Sequence, residues 1–207
     1  MAKILSFDNK LMKIGNGLLG PAEVVPPVPV LPSNTVRVRT SDGNAPSKDE
    51  AAPGSYETAT LVAGTSDVYD VYKSGTSFEG LLNYSYNVIE VLGANTTDIT
   101  NMKNMFSGCS SLTSVALFDT SSTTNMQNMF SYCSSLTSIP LFDTSSTTNM
   151  SYMFRGCTNV ETGALALYNQ ASSQATPPTN YTQTFRSCGR DTITGSAELE
   201  QIPSAWK

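Results

Sequence analysis

Thr124-Asn125-Met126-Gln127-Asn128-Met129-Phe130-Ser131-Tyr132-Cys133-Ser134-Ser135-Leu136-Thr137-Ser138-Ile139-Pro140-Leu141-Phe142-Asp143-Thr144-Ser145-Ser146-Thr147 is the middle copy of a unit that occurs three times in this chain. The first copy runs from Thr100 to Thr123. The third keeps Thr148, Asn149, Met150, Met153, Phe154 and Cys157, then diverges after Val160. Self-similarity at a fixed period of about 20 to 50 residues marks units that cannot bury their apolar face alone and need neighbours to complete it. The period therefore points to a repeat architecture before any single residue is considered.

Two periodicities follow each other inside one copy. Met126, Met129, Phe130 and Cys133 fall at i, i+3, i+4 and i+7, the stripe of a short helix, with Asn125 or Thr124 as its N-cap. Leu136, Ile139 and Leu141 follow with the spacing of a leucine-rich-repeat strand, and Asp143 to Thr147 supplies turn chemistry. The expected fold class is thus an α/β repeat, a leucine-rich-repeat-like solenoid of 24-residue coils, each made of short helix, strand and polar turn.

Outward from the repeats the units decay. Val88 and Val91 lie 24 residues before Leu112 and Val115, and Leu81 and Leu82 lie 24 before Met105 and Phe106, so Phe78 to Ile99 reads as a degenerate first coil. Asn180, Thr184, Phe185 and Cys188 restore the spacing of the third copy after a seven-residue insertion, and Trp206 is placed to close the last apolar layer. The solenoid is expected over residues 78–207. Val36 to Arg39, Glu57 to Val62 and Val68 to Tyr72 read as short strands of a small β region at 35–77, capping the first coil or standing as a mini-domain. Five prolines between Pro21 and Pro32 make 21–34 an extended linker. Residues 1–20 form an anchoring arm: Ile4, Phe7, Leu11, Ile14 and Leu18 fit a heptad seam, but Asp8-Asn9 and Gly15-Asn16-Gly17 favour a β-hairpin.

The run Thr-Asn-Met-x-x-Met-Phe-x-x-Cys-x-x-Leu followed by Phe-Asp-Thr-Ser resembles the BspA-like leucine-rich repeats of bacterial surface proteins, over roughly residues 80–190. That resemblance implies a non-enzymatic surface module contacting host proteins, other cells or glycans. The N-terminus has no apolar h-region of about 7 to 15 residues, and no apolar run is long enough to span a membrane, so a soluble protein made in a cytoplasm is expected. The opening Ala2 to Lys10, the run Glu90 to Thr97 and the run Gly163 to Tyr168 are similar to proteins of bacteriophages infecting gut Bacteroidetes. The two resemblances together imply a virion protein, such as a head fibre or decoration protein, made in the host cytoplasm; the alternative is a bacterial cell-surface adhesin.

Composition favours a binder over a catalyst. The absence of histidine removes Ser-His-Asp and Cys-His nucleophile chemistry and histidine metal sites. The four cysteines are 24, 24 and 31 residues apart, unlike the close pairs of structural zinc sites, and read as a ladder of buried thiols, with disulfides between coils as the alternative. Asp119 and Asp143 read as turn caps, since one carboxylate per coil falls short of a calcium shell. No cofactor and no metal is expected. A net charge of -5 argues against nucleic acid. Half of residues 101–148 are Ser, Thr or Asn, a neutral hydrogen-bonding surface suited to repetitive glycan or protein surfaces. Positions that differ between copies are the candidate ligand-binding face: Lys103, Gln127, Tyr132, Tyr152 and Arg155. Expected partners are other virion proteins through residues 1–34, a host surface protein or glycan, and further copies of the chain.

Overall fold

The computed structural model describes residues 13–14, 17–18, 31–47 and 55–207. The chain divides into two units, Met1–Val30 and Leu31–Lys207. In the first, β1 (Lys13–Ile14) and β2 (Gly17–Leu18) pair antiparallel, with Ile14 opposite Gly17 and Lys13 opposite Leu18. Of the residues expected to anchor the arm, Ile4, Phe7 and Leu11 lie outside the described residues, as does Pro21 to Val30 of the proline-rich stretch.

In the second unit, β3 (Thr35–Thr40), β4 (Thr58–Leu61), β5 (Val68–Tyr72), β6 (Val88–Asn95) and β7 (Ser114–Val115) form one mixed sheet in the order β4-β5-β3-β6-β7. All neighbours are antiparallel except β6 and β7. The alternation of Val and Arg along β3 explains its central place. Val36 and Val38 are fully buried on one face. On the other, Arg37 forms a two-pronged pair with Asp70 directly across on β5 (2.7 and 2.8 Å), and Arg39 meets Glu90 on β6 at 2.6 Å. Opposite charges facing each other across strands stabilise by about 0.2–1 kcal/mol per pair.

The helix-and-strand solenoid expected from the repeat does not form. Regular structure among the described residues consists of these strands, two short α-helices, α1 (Ala164–Ser173) and α2 (Ile193–Gln201), and a closing 3-10 turn at Ser204–Trp206. Neither α-helix covers the apolar stripe of a repeat. The reason lies in the backbone: each copy holds two left-handed residues four apart, Asn104 and Gly108 (φ 56° and 74°), Asn128 and Tyr132 (55° and 61°), Tyr152 and Gly156 (60° and 75°). A right-handed helix requires φ near -60° at every position. The chain turns instead, and its N–H groups divide their work. Those of Met129, Ser131 and Cys133 donate three residues back, whereas those of Met126, Asn128, Phe130 and Tyr132 donate to Asn149, Ser151, Met153 and Arg155 of the next copy.

The expected strand is also much reduced. It spans two residues in the first copy and a single bridge, Ser138 to Thr162, in the second. Pro140 has no N–H to give a ladder. Leu141, expected inside, is 52% exposed, and its neighbour Phe142 is fully buried in its place. Asn125 and Asn149 do not cap helices; each side-chain oxygen accepts from the N–H two residues on (3.1 and 3.0 Å), closing a tight turn.

The same spacing that suggested a helix still buries its residues: Met126, Met129, Phe130, Cys133 and Leu136 are all fully buried. Consecutive phenylalanines stack, Phe106 on Phe130 at 5.2 Å and Phe130 on Phe154 at 5.3 Å between centroids, with planes within 10°. Such pairs contribute about 0.5–1.5 kcal/mol each beyond their buried area. Past the third copy, Glu198 on α2 accepts from the Leu165 N–H in the first turn of α1 (3.1 Å), a negative charge at the end of a helix that favours it. At the last repeat the N–H of Phe185, which in earlier copies finds the next copy, donates to the carbonyl of Trp206 (2.9 Å). The Trp206 ring stacks on Tyr181 at 4.4 Å.

Candidate functional site

The hydrogen bonds from copy to copy bring equivalent positions side by side, so residues that differ between copies form rows on the surface. One row reads Tyr84, Gly108, Tyr132, Gly156, Ser187, every member left-handed. In it each tyrosine ring lies over the glycine of the following copy: a Cβ on Gly156 would sit 2.7 Å from Cδ1 of Tyr132, and one on Gly108 would run into the ring of Tyr84. Tyrosine and glycine alternate because one ring needs the space of two copies. Tyr132 remains half exposed.

Arg155 gathers the aromatic groups. Its guanidinium lies 5.3 Å from the centroid of Tyr132 and 5.6 Å from that of Tyr152. A cation over an aromatic ring contributes about 0.5–1 kcal/mol at an exposed site. Beside this group opens a recess of about 260 Å³ lined by Tyr132, Arg155, Gly156, Thr158, Arg186, Ser187 and Arg190. Three of the chain's five arginines meet there; the other two are held by carboxylates in the sheet.

Of the five residues read from the sequence as a binding face, Tyr132, Tyr152 and Arg155 are therefore in one cluster. Lys103 is elsewhere, engaged with Glu79 at 3.2 Å, and Gln127, next to it in its own row, lines no part of the recess. Sequence reasoning missed Arg186 and Arg190. A signal for Arg186 exists: Phe185-Arg186-x-Cys188 repeats Phe154-Arg155-x-Cys157, displaced by the seven-residue insertion.

The repeated polar residues are engaged with backbone. The four cysteines are free and buried. The thiols of Cys109, Cys133 and Cys157 donate to the carbonyls of Leu82, Phe106 and Phe130 at 3.0–3.1 Å. Burial pushes Cys109 and Cys157 up to about 12, and Cys133 and Cys188 well above the ordinary thiol range. Asp119 and Asp143 accept from the N–H groups of Ser121 and Ser145 (2.9 and 2.8 Å), and the Ser145 bonds hold Asp143 below its usual value. Among the described residues no group of three or more His, Cys, Asp or Glu side chains is placed to hold a metal ion, and no helix is long and apolar enough to cross a membrane. The site is thus a surface of aromatic rings and guanidinium groups, chemistry suited to holding a ligand by stacking and charge.

Residues 66–189 match the family model described as "Mycoplasma protein of unknown function, DUF285". No curated protein and no solved structure matches the chain.

Proposed function

This chain belongs to the DUF285 family, and from that premise we propose that it is a non-enzymatic, surface-displayed binding protein, a component of a bacteriophage virion that presents its repeats to a host surface protein or glycan. The observation that carries the reading is the cluster of Tyr132, Tyr152 and Arg155. These are positions where the copies differ, and they meet on one surface, with Tyr132 half exposed, while the repeated positions are spent on the core and the ladder. Tyrosine and arginine are the residues that dominate recognition hot spots. The virion assignment rests on the similarity of Ala2 to Lys10, Glu90 to Thr97 and Gly163 to Tyr168 to phage proteins. In it, residues 1–34 attach the protein to other virion proteins and further copies of the chain assemble with it.

A bacterial cell-surface adhesin with BspA-like repeats is the second reading, favoured by a family described from a cellular organism. Quantitative peptide mass spectrometry on nuclease-treated particles and on the cell envelope of the producing culture separates the two. Stoichiometric recovery with the major capsid protein supports the virion component; recovery in the envelope alone overturns it in favour of the adhesin. For the binding role, replacing Tyr132, Tyr152 and Arg155 together by alanine is expected to weaken capture of host surface material at least tenfold with little change in melting temperature. Undiminished capture would remove the cluster from function.

A further inference from the structure

We propose that Arg155, Arg186 and Arg190 form a binding site for the anionic groups of an acidic polysaccharide, a uronate carboxylate or a sulfate ester. The inference rests on the binding role above and names its ligand class. Arg155 and Arg186 occupy the same position of adjacent copies, joined by the bond from the Gly156 N–H to the Arg186 carbonyl (2.9 Å). Backbones so paired run about 5 Å apart. Like charges on neighbouring copies repel, and the recess they line carries no carboxylate to offset them. The Arg190 guanidinium pairs with the exposed Asp191 (3.4 Å), and that of Arg186 bonds the neutral side chain of Gln183 (2.9 Å). Arg155 has ring contacts and, among the described residues, no hydrogen bond from its guanidinium. Elsewhere the chain does pair its arginines, as Arg37 and Arg39 show.

Ser187, which also lines the recess, offers a further donor. In Gly108, Tyr132 and Gly156 the backbone N–H donates to the following copy, at Ser131, Arg155 and Arg186. Ser187 stands at that position in the last repeat, where no further copy follows, and its N–H has no partner among the described residues. Guanidinium groups and a free amide N–H together are the donors that oxyanions take. The three cations are gathered in one recess of a chain whose net charge is -5, too local for the basic stripe that a nucleic-acid backbone requires. The half-exposed Tyr132 ring and the surrounding Ser, Thr and Asn side chains suit the C–H faces and hydroxyls of sugars. A recess of about 260 Å³ admits one sugar ring and its charged substituent.

The test is calorimetric titration of the full chain with oligogalacturonate, sulfated dextran, neutral dextran and a short single-stranded DNA, at low and high salt. Expected is salt-sensitive binding of one or both acidic saccharides and neither control, with the uronate and sulfate arms telling which anion is preferred. Arg186→Gln and Arg190→Gln, both at exposed positions, should each weaken it by about tenfold without lowering the melting temperature, and Arg186→Lys should lose less than Arg186→Gln. Failure of both acidic saccharides to bind, equal binding of neutral dextran, preference for DNA, or indifference to the arginine substitutions would each overturn the anion site. Capture of host surface material that Tyr132→Ala abolishes and Arg186→Gln leaves intact would overturn it while sparing the broader binding role.

Discussion

Gly156 shows how far a single position is decided by its neighbour one copy away. Its φ of 75° is left-handed, and the ring of Tyr132 covers the place where a side chain would begin. Gly156→Ala is expected to destabilise by about 1–2 kcal/mol from the backbone alone, with a further steric cost. That steric part should vanish in the Tyr132→Ala background, so a double-mutant cycle by urea denaturation should give a coupling energy; strict additivity would show that the ring does not fill this space. The left-handed residues are also where sequence reading failed. Asn104 and Asn128 are residue types that tolerate such a φ, but Tyr132 and Tyr152 are not. Variation at Tyr132 reads from the sequence as ligand choice, whereas the alternation of Tyr and Gly at 84, 108, 132 and 156 is in part a packing rule between neighbouring copies.

At the scale of one element, the stripe Met-x-x-Met-Phe-x-x-Cys identified its buried residues without identifying its backbone. Spacing of i, i+3, i+4 and i+7 reports which side chains share a face, and a train of tight turns satisfies it as a helix does. Strand spacing places Leu141 inward, yet it lies outward, because Pro140 ends the ladder and the larger Phe142 takes the core. Three short strands of the sheet were legible from β-branched alternation; the parallel join of β6 to β7 was not, since it depends on contacts across the repeat boundary. The thiol row gives a prediction at this scale. Burial raises the thiols of Cys109 and Cys157 to about 12, so the folded chain keeps protons that the unfolded chain releases near pH 9. Stability from these groups is complete below that value and is lost as pH rises toward 12, by up to about 1.4 kcal/mol per pH unit for each thiol. Urea denaturation from pH 8 to 11 should therefore show a steeper decline for the native chain than for Cys157→Ala; parallel declines would mean the thiol is not shielded.

For the whole molecule, the hydrogen bonds recur in a register of 24 residues through the two nearly identical copies, each bonded mainly to its neighbours. Excision of Thr124–Thr147 restores the same residue types at the junction, with Thr148 facing Thr100 in place of Thr124. The shortened chain is expected to fold cooperatively, with a smaller urea dependence in proportion to the surface removed. Excision of Thr124–Ser135 alone should not fold. Circular dichroism and urea titration of the pair check this; equal disorder in both would refute the register. Trp206 is the second test at this scale. It stacks on Tyr181 and Phe185 and meets Tyr168 edge-on, so Trp206→Ala should cost about 3–5 kcal/mol by denaturation.

A row of open N–H groups and a bare aromatic face at the end of a repeat would be a growth point on which the first repeat of another molecule could continue the series, and head-to-tail contacts of that kind do not close. By folding Trp206 back over Phe185, the chain spends that valence on itself. Trp206 thus covers an edge on which a second molecule could stack, and sedimentation of the Trp206→Ala protein should reveal length-distributed polymers where the native chain gives one defined species.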